Sequence, residues 1–312
     1  MRKRCGETQR VALLFASLAL FAVAVELRAQ NLTLEGQTGG FITPTAYVVQ
    51  SAKGQFFSHP SIGFHYVHAG DVIGDVYTGS VTEGLGNWAE VGYTRNGHTN
   101  GNNPFFSALW EYPGMNIFHG KGVVLPENAF GTKWVPGLAA GFVVRTGDRF
   151  VSGAILNTSY NNEDVYAVIT KDFTKVNVPL LLNFGLKFTN ASIYGIGGQS
   201  TRFAGRLFGG IGFPLPGPWH TAIVPAAGFT QEPYHVKNLD LLVPGGGQIP
   251  TTLDYAVRIT QRENPRFSFD IGVGQVAGQI GYTELPTPFG PVVVPVNLQA
   301  RSVFGIGASY KF

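Results

Sequence analysis

Apolar residues alternate with small or polar residues in many short segments of the chain after residue 30. The stretch LLLNFGLKF, residues 180–188, places leucine or phenylalanine at every even position, with Asn183, Gly185 and Lys187 among the residues between them. Because successive side chains of a β-strand point to opposite faces, this alternation predicts strands with one apolar face. Clear segments of this kind lie at residues 88–95, 137–145, 180–188, 201–213, 252–260, 266–274 and 302–312, and weaker ones at 62–67, 76–81, 130–134, 151–159, 165–171, 222–229 and 278–282.

The face opposite the apolar one distinguishes two fold classes. In a soluble β-sandwich that face would meet water and carry many Lys, Glu, Asp and Thr residues. Here it is rich in Gly, Ala and Ser and sparse in charge. Glycine is unfavourable in ordinary strands but fits a narrow lumen, where facing strands approach closely. We therefore predict an all-β fold, a closed antiparallel transmembrane β-barrel of about 12 strands (range about 10–14). A soluble secreted β-sandwich binding protein is the alternative.

The first thirty residues have the order of a secretory signal peptide. Basic residues at positions 2, 3, 4 and 10 precede an apolar run from Val11 to Val25, and a small residue follows at Ala29. The run is about 15 residues long, short of the roughly 20 that a spanning helix needs. We expect residues 1–29 to form a helical signal peptide cleaved after Ala29. A lead-in segment at 30–59 and the barrel at 60–312 follow.

Removal of the signal peptide changes the charge of the chain. Residues 1–29 carry five basic and two acidic side chains, a net charge of +3. The whole chain is also +3, so the mature chain has a formal net charge of zero and gives no indication of nucleic-acid binding. Cys5, the only cysteine, lies in the same segment, so we expect no disulfide and no cysteine-ligated metal in the mature protein.

The composition and the loops agree with a barrel. Only 13 % of residues are charged, against about 25 % in a typical soluble domain. After Val25 there is no apolar run long enough for a spanning helix. The longest predicted loops are 96–128, 236–250 and 285–297, and apolar and aromatic residues in the first suggest that part of it packs, as an extra strand or in the barrel mouth.

Charged residues on the inward face are the candidate functional residues. Charges at membrane depth should face a polar lumen and pair with one another. Two interpretations follow: an ion-pair network that plugs and stiffens a closed barrel, or a mildly cationic pore wall that favours anionic solutes. Arg202 and Arg206 share one face of one strand and are the best candidates for a constriction or a plug. By strand parity the inward set is Arg145, Lys187, Arg202, Arg206, Asp254, Arg258 and Asp270, together with Glu90, Arg301 and Lys311.

The histidines give no sign of catalysis or metal binding. His65 and His68 lie near Asp71, but their odd spacing puts them on opposite faces of a strand. No zinc spacing, phosphate-binding loop or nucleophile elbow is present. We expect no catalytic residue, no metal and no cofactor. An outer-membrane enzyme such as a lipid hydrolase is kept as the alternative function.

The C-terminus resembles the signature of bacterial outer-membrane proteins. In those proteins the last strand alternates apolar residues and ends on an aromatic, usually Phe, which the barrel-assembly machinery reads. The stretch SVFGIGASYKF matches that pattern. The resemblance implies an assembly signal formed by Phe304, Ile306, Tyr310 and Phe312, and a location in the outer membrane.

The N-terminal half also resembles the exopolysaccharide-associated, YjbH-like outer-membrane barrels. The matching positions are GGFITPTAY at 39–47, Gly54, the EVGY stretch at 90–93 and the segment from Lys133 to Gly141. In the second half, AAGFTQEPYH lacks the acidic motif expected for that family. The resemblance implies a role in polysaccharide export or envelope function, without chemistry.

These observations together predict a non-enzymatic outer-membrane barrel with a structural or transport role. It would be either a narrow channel or an envelope or exopolysaccharide-associated factor. The expected partners are outer-membrane lipid, the barrel-assembly machinery, and polysaccharide or small anionic solutes.

Overall fold

The computed structural model shows a closed β-barrel. It describes residues 31–104, 106–110, 114–147, 151–157, 159–176, 178–233, 236–240, 243–244, 247–262 and 265–312. The predicted signal peptide lies outside these residues. No helix within the described ranges is long and apolar enough to cross a membrane.

Within these ranges, twelve antiparallel strands form the barrel wall, each paired with its neighbour along the chain. The wall closes because the last strand pairs with the first, with Lys311 opposite Ser61 and Phe304 opposite His68. The fold class predicted from the sequence is confirmed. The wall strands are β1 (Ser61–His68), β2 (Asp75–Leu85), β3 (Ala89–Thr99), β4 (Met115–Leu125), β5 (Gly137–Gly147), β6 (Asn162–Asp172), β7 (Leu181–Ala191), β8 (Gln199–Gly212), β10 (Thr221–Thr230), β11 (Thr252–Gln261), β12 (Phe267–Gln275) and β15 (Val303–Lys311).

The remaining elements lie in the connections between wall strands. A two-residue strand, β9 (Leu215–Pro216), pairs with β10, and β13 (Ala277–Thr287) forms a separate hairpin with β14 (Gly290–Ala300). The helical turns are short: α1 (Gly70–Ile73), α2 (Val151–Ile155), and the 3-10 turns η1 (Ser107–Trp110), η2 (Ala129–Gly131), η3 (Phe173–Val176) and η4 (Lys237–Leu239).

The two ends of the barrel differ in the length of their connections. One end carries the connections 69–74, 100–114, 148–161, 192–198, 231–251 and 276–302, of which four are longer than any connection at the other end. The other end carries 86–88, 126–136, 173–180, 213–220 and 262–266. Outer-membrane barrels have short periplasmic turns and longer extracellular loops. The first end is therefore extracellular and the second periplasmic.

The two faces of each wall strand differ in solvent exposure, as the alternation predicts. In β7, Phe184 and Phe188 are half exposed on the outside, while Asn183 and Lys187 are buried inside. Inward glycines leave room for large neighbours, and the ring of Phe208 fills the space over Gly185. The barrel interior is thus packed by a few large side chains over a glycine-rich wall.

Two of the weaker predicted strands are wrong, and a third lies outside the barrel wall. Residues 130–134 lie in a periplasmic connection, where Asn128 and Phe130 have φ angles of 61° and 59° that a strand cannot adopt. Residues 151–155 form α2 instead of a strand. Residues 278–282 do belong to a strand, β13, but it pairs with β14 outside the wall. The predicted loop 96–128 contains β4, the extra strand that its apolar residues suggested.

Candidate functional site in the barrel lumen

The lumen is filled by the chain's own N-terminal segment. Residues 31–50, hereafter the plug, lie inside the barrel, and most of them are buried. The plug folds on itself through backbone hydrogen bonds, among them Thr33 N to Gln37 O at 2.7 Å and Leu34 N to Phe41 O at 2.9 Å. Residues 51–60 then follow the periplasmic rim to β1, with Ser51 N donating to Gly86 O. The predicted lead-in segment is therefore mainly an internal plug.

Polar contacts join the plug to eight wall strands. These contacts are distributed along the plug, so many strands hold it in place. The hydrogen bonds are Leu32 N to Ser309 Oγ (3.4 Å), Thr82 Oγ1 to Gly36 O (2.6 Å), Thr94 Oγ1 to Glu35 O (2.9 Å), Lys121 Nζ to Thr38 O (2.8 Å), Arg145 Nε to Glu35 Oε1 (2.5 Å), Arg258 to Gly39 O (2.9 Å), Asn183 Nδ2 to Pro44 O (2.9 Å), Ala46 N to Thr170 Oγ1 (2.8 Å) and Lys311 Nζ to Gln50 O (2.6 Å).

The strongest of these contacts is an ion-pair cluster in the extracellular half of the barrel. Arg145 on β5 donates to both carboxylate oxygens of Glu35, from Nε at 2.5 Å and from a terminal nitrogen at 2.8 Å. The same terminal nitrogen donates to Asp164 on β6 at 2.6 Å. The Arg145 side chain is 1 % exposed and that of Glu35 7 %. A fork-shaped guanidinium satisfies two carboxylates at once, and one of them belongs to the plug.

A second buried pair holds the plug in the periplasmic half. Glu90 on β3 and Lys121 on β4 lie 3.0 Å apart, both 0 % exposed. Glu90 accepts hydrogen bonds from Thr38 N at 2.9 Å, from Thr38 Oγ1 at 2.5 Å and from Val49 N at 3.0 Å. The wall carboxylate is thus a counter-ion for Lys121 and an anchor for two separate points of the plug.

The residues predicted to carry inward charges differ in their surroundings. Arg145 belongs to the cluster above, and Arg258 pairs with Asp270 through two hydrogen bonds of 2.7 and 2.9 Å. Lys187 is buried, with Nζ 5.4 Å from the centre of the Tyr194 ring. Arg206 donates a hydrogen bond to the Glu232 carbonyl, and Arg202 is exposed. Asp254 has one carboxylate oxygen without a hydrogen-bond partner in the described ranges.

An extracellular connection covers this part of the lumen. The Glu232 carboxylate accepts hydrogen bonds from Ile193 N at 2.8 Å and from Thr252 Oγ1 at 3.1 Å. Burial raises the pKa of Glu232 above its ordinary value, and the nearby Lys187 opposes that shift. The connection after β10 is thereby bonded to the connection after β7, above the plug. Arg301 lies in the extracellular connection before β15 and is exposed.

Three of the predicted assembly residues lie on the last wall strand, β15, and Phe312 directly follows it. Phe304, Tyr310 and Phe312 are 38–54 % exposed on the outer face, and Ile306 lies on the same face. Exposed tryptophans at 88, 134 and 219 lie in periplasmic connections, where an interfacial aromatic girdle is expected. A closed wall with an apolar outer face fits hydrocarbon, because each wall strand in the described ranges is paired on both sides. The protein is an outer-membrane β-barrel.

His65 and His68 lie on opposite faces of β1. His68 is bonded to Asp75 at 2.7 Å at the extracellular end, whereas His65 is buried inside against the Phe41 ring. No group of three or more His, Cys, Asp or Glu side chains suited to a metal occurs among the residues that the structure describes.

The plug is the part of the candidate site that sequence reasoning missed. Strand parity tells which side chains point inward but not what occupies the lumen. The one available signal was Glu35, a lone acid in a polar segment before the first strand. The stretch 39–47, which carries the YjbH-like resemblance, lies in the plug and contributes Gly39 O and Pro44 O to the wall contacts. The link to that family remains a prediction.

Comparison with known proteins gives distant structural likenesses. No family model and no curated protein sequence matches the chain. Among solved structures, the chain is similar to the KdgM porin (11 % identity, TM-score 0.46, 81 % of this chain and 99 % of that one) and to the NanC porin (9 %, 0.45, 81 % and 100 %). It is also similar to Omp33 of Acinetobacter baumannii (9 %, 0.37, 82 % and 99 %). At these values the likenesses give no information on the solute or mechanism of this chain.

Proposed function

We propose that the protein is a gated, non-enzymatic channel of the outer membrane, closed in the described state by its plug. The observation that carries the proposal is the polar attachment of the plug to the wall. Two buried ion-pair clusters and a set of backbone hydrogen bonds hold residues 31–50 inside the lumen.

A polar attachment suits a removable plug. The ions and peptide groups that hold the plug can exchange their partners for water when the plug leaves, so the net cost of release is much smaller than the gross interaction energy. Residues 51–60 connect the plug to β1 along the periplasmic rim, where Ser58 Oγ accepts a hydrogen bond from Gly84 N at 2.7 Å. The plug would therefore move towards the periplasm.

Release of the plug would make the lumen more positive. Lys187 and Arg206 are direct cross-strand partners on β7 and β8, and Arg202 lies four residues before Arg206 on the same face. Glu35 would leave with the plug and remove one negative charge beside Arg145. We infer that the open pore prefers small anionic solutes, including acidic sugars.

Planar-bilayer conductance tests the proposal. A variant lacking residues 31–45 should carry a sustained current that the full chain shows only in brief openings, with a reversal potential in a KCl gradient that indicates anion preference. If neither protein conducts, the channel function is refuted and a structural envelope role, such as the exopolysaccharide-associated one, becomes the better account. Lipid hydrolysis by the same proteoliposomes, measured by mass spectrometry, would refute the non-enzymatic part.

A further inference from the structure

A cavity lies between the top of the plug and the extracellular connections, and we name it the upper cavity. It contains about 680 Å³ of space not filled by protein atoms, part of it open to solvent. Aliphatic and aromatic side chains supply its floor and its roof: Leu34, Phe41 and Ile42 from the plug, and Ile73, Ile193 and Ile196 from the connections above.

Most polar groups at this cavity already have partners. The Tyr194 hydroxyl donates to Thr230 Oγ1 at 2.8 Å, and the Thr252 hydroxyl donates to Glu232 at 3.1 Å. Asp254 is the exception, because its Oδ1 is buried and has no hydrogen-bond partner among the described residues. The upper cavity is thus an apolar space with one free carboxylate oxygen in its wall.

The surroundings of Asp254 leave its charge uncompensated. Its direct cross-strand neighbours are Gly228 on β10 and Gly274 on β12, which carry no side chain. Arg258 is four residues further along the same strand, about 13 Å at the rise of a β-strand, and it is already paired with Asp270. A buried carboxylate without a partner is costly, so a ligand that supplies a cation would be favoured there.

Asp254 lies where the upper cavity meets a second cavity. The lower cavity contains about 700 Å³ of unfilled space, part of it open to solvent, between the plug and β7, β8, β10 and β11. It shares Phe41 and Asp254 with the upper cavity. A ligand whose apolar part fills the upper cavity would therefore bring a polar end to the level of Asp254.

We propose that the upper cavity binds a small apolar molecule that carries a protonated amine, with the ammonium group hydrogen-bonded to Asp254. The apolar lining takes the hydrocarbon part, and the carboxylate selects the cationic end. An anionic amphiphile would bring two negative charges together and is excluded. This site goes beyond the proposed gate, since it needs no movement of the plug.

Isoleucine methyl NMR of the full mature chain in lipid nanodiscs tests the site with decylamine as the probe. The δ1 methyls of Ile42, Ile73, Ile193 and Ile196 line the upper cavity and should shift in a saturable way. Lipid-facing isoleucines report only on partitioning into the bilayer and should shift without saturation; these are Ile62, Ile169, Ile259 and Ile271. Decanol should bind at least tenfold more weakly than decylamine, and decanoate should not bind.

Two variants distinguish the contribution of the Asp254 carboxylate to binding from that of the space in the cavity. Asp254→Asn should weaken decylamine binding about tenfold or more, because a charge-assisted hydrogen bond is lost. Gly274→Leu adds a side chain to the inward face beside Asp254 and should abolish the saturable shifts. Gly79→Leu makes the same change on the outer face, where a Cβ meets nothing within 4 Å, and should bind as the wild type does.

Three results would overturn the proposal: no saturable shift of the cavity methyls, equal binding of decylamine and decanoate, or unchanged binding in Asp254→Asn. If the proposed gate were wrong but the amine site correct, the variant lacking residues 31–45 would conduct as the full chain does, and decylamine would still bind.

Discussion

Replacement of Glu35 by Gln tests the attachment of the plug at its most highly charged point. The substitution keeps the size of the side chain and removes the charge that Arg145 meets at 2.5 and 2.8 Å. Asp164 remains 2.6 Å from the same guanidinium, so Arg145 is not left as an unpaired buried ion. The expected loss is therefore below the ~3–5 kcal/mol of a buried pair that loses its only partner.

The magnitude follows from the two charge-assisted hydrogen bonds. Each is worth about 1.5–3 kcal/mol net, and the amide oxygen of the replacement side chain can still accept one bond from Arg145. The closed state should lose about 2–3 kcal/mol relative to the open state, while the open state loses little because Glu35 is hydrated there. At tenfold per 1.4 kcal/mol, the ratio of open to closed barrels should rise about 30- to 140-fold.

Single-channel recording in planar bilayers measures that ratio as open probability. Glu163→Gln is the matched control, because Glu163 lies next to Asp164 in sequence but points outward and is exposed. The heat-dependent shift in gel mobility confirms that each variant forms a barrel. An open probability for Glu35→Gln equal to that of the wild type and of Glu163→Gln would refute the assignment of Glu35 as a plug anchor.

Three further predictions concern the open pore, the wall and assembly. In the Glu35→Gln background, Lys187→Gln should move the reversal potential in a KCl gradient towards the potassium value, and an unchanged potential would contradict the anion preference. Glu90→Gln leaves Lys121 buried without a counter-ion and should lower the free energy of unfolding in urea by about 3 kcal/mol; a loss below about 1 kcal/mol would show that the pair is not needed. Phe312→Asp should reduce the amount of heat-modifiable barrel in the outer membrane, while Phe289→Asp at the exposed tip of the β13–β14 connection should not; equal accumulation would rule out an assembly role for Phe312.

Much of the barrel wall could be predicted from the sequence, because parity is a local property. The alternation in 180–188 and 266–274 identifies β7 and β12 and their outer faces. The strand prediction at 130–134 is wrong because the apolar residues there lie at positive φ or in a rim connection, and hydropathy does not report backbone angles. The prediction at 278–282 is wrong about location, since a strand pattern does not say which strand is its partner.

The candidate site could be predicted only in part. Strand parity alone places Arg145, Arg258 and Asp270 on the inward face, but it does not identify the plug residue Glu35 as the partner of Arg145. Glu35 lies 110 positions before Arg145 in the chain, and no periodicity links the two. The contact depends on a segment without regular secondary structure that folds against the finished wall. Parity likewise predicts a constriction or a plug at Arg202 and Arg206, whereas the N-terminal segment lies in the lumen and Arg202 is exposed.

A disulfide between the plug and the wall tests most directly whether movement of the plug opens the channel. A Cβ built on Gly63 of β1 lies 3.3 Å from Leu32 Cβ, close to the separation of about 3.5–4.5 Å that a disulfide needs. The pair Leu32→Cys and Gly63→Cys is introduced into the Glu35→Gln chain, and its oxidation is confirmed by mass spectrometry. We predict that the oxidised protein stays closed and that dithiothreitol restores the raised open probability. Equal conductance before and after reduction would contradict the plug as the gate.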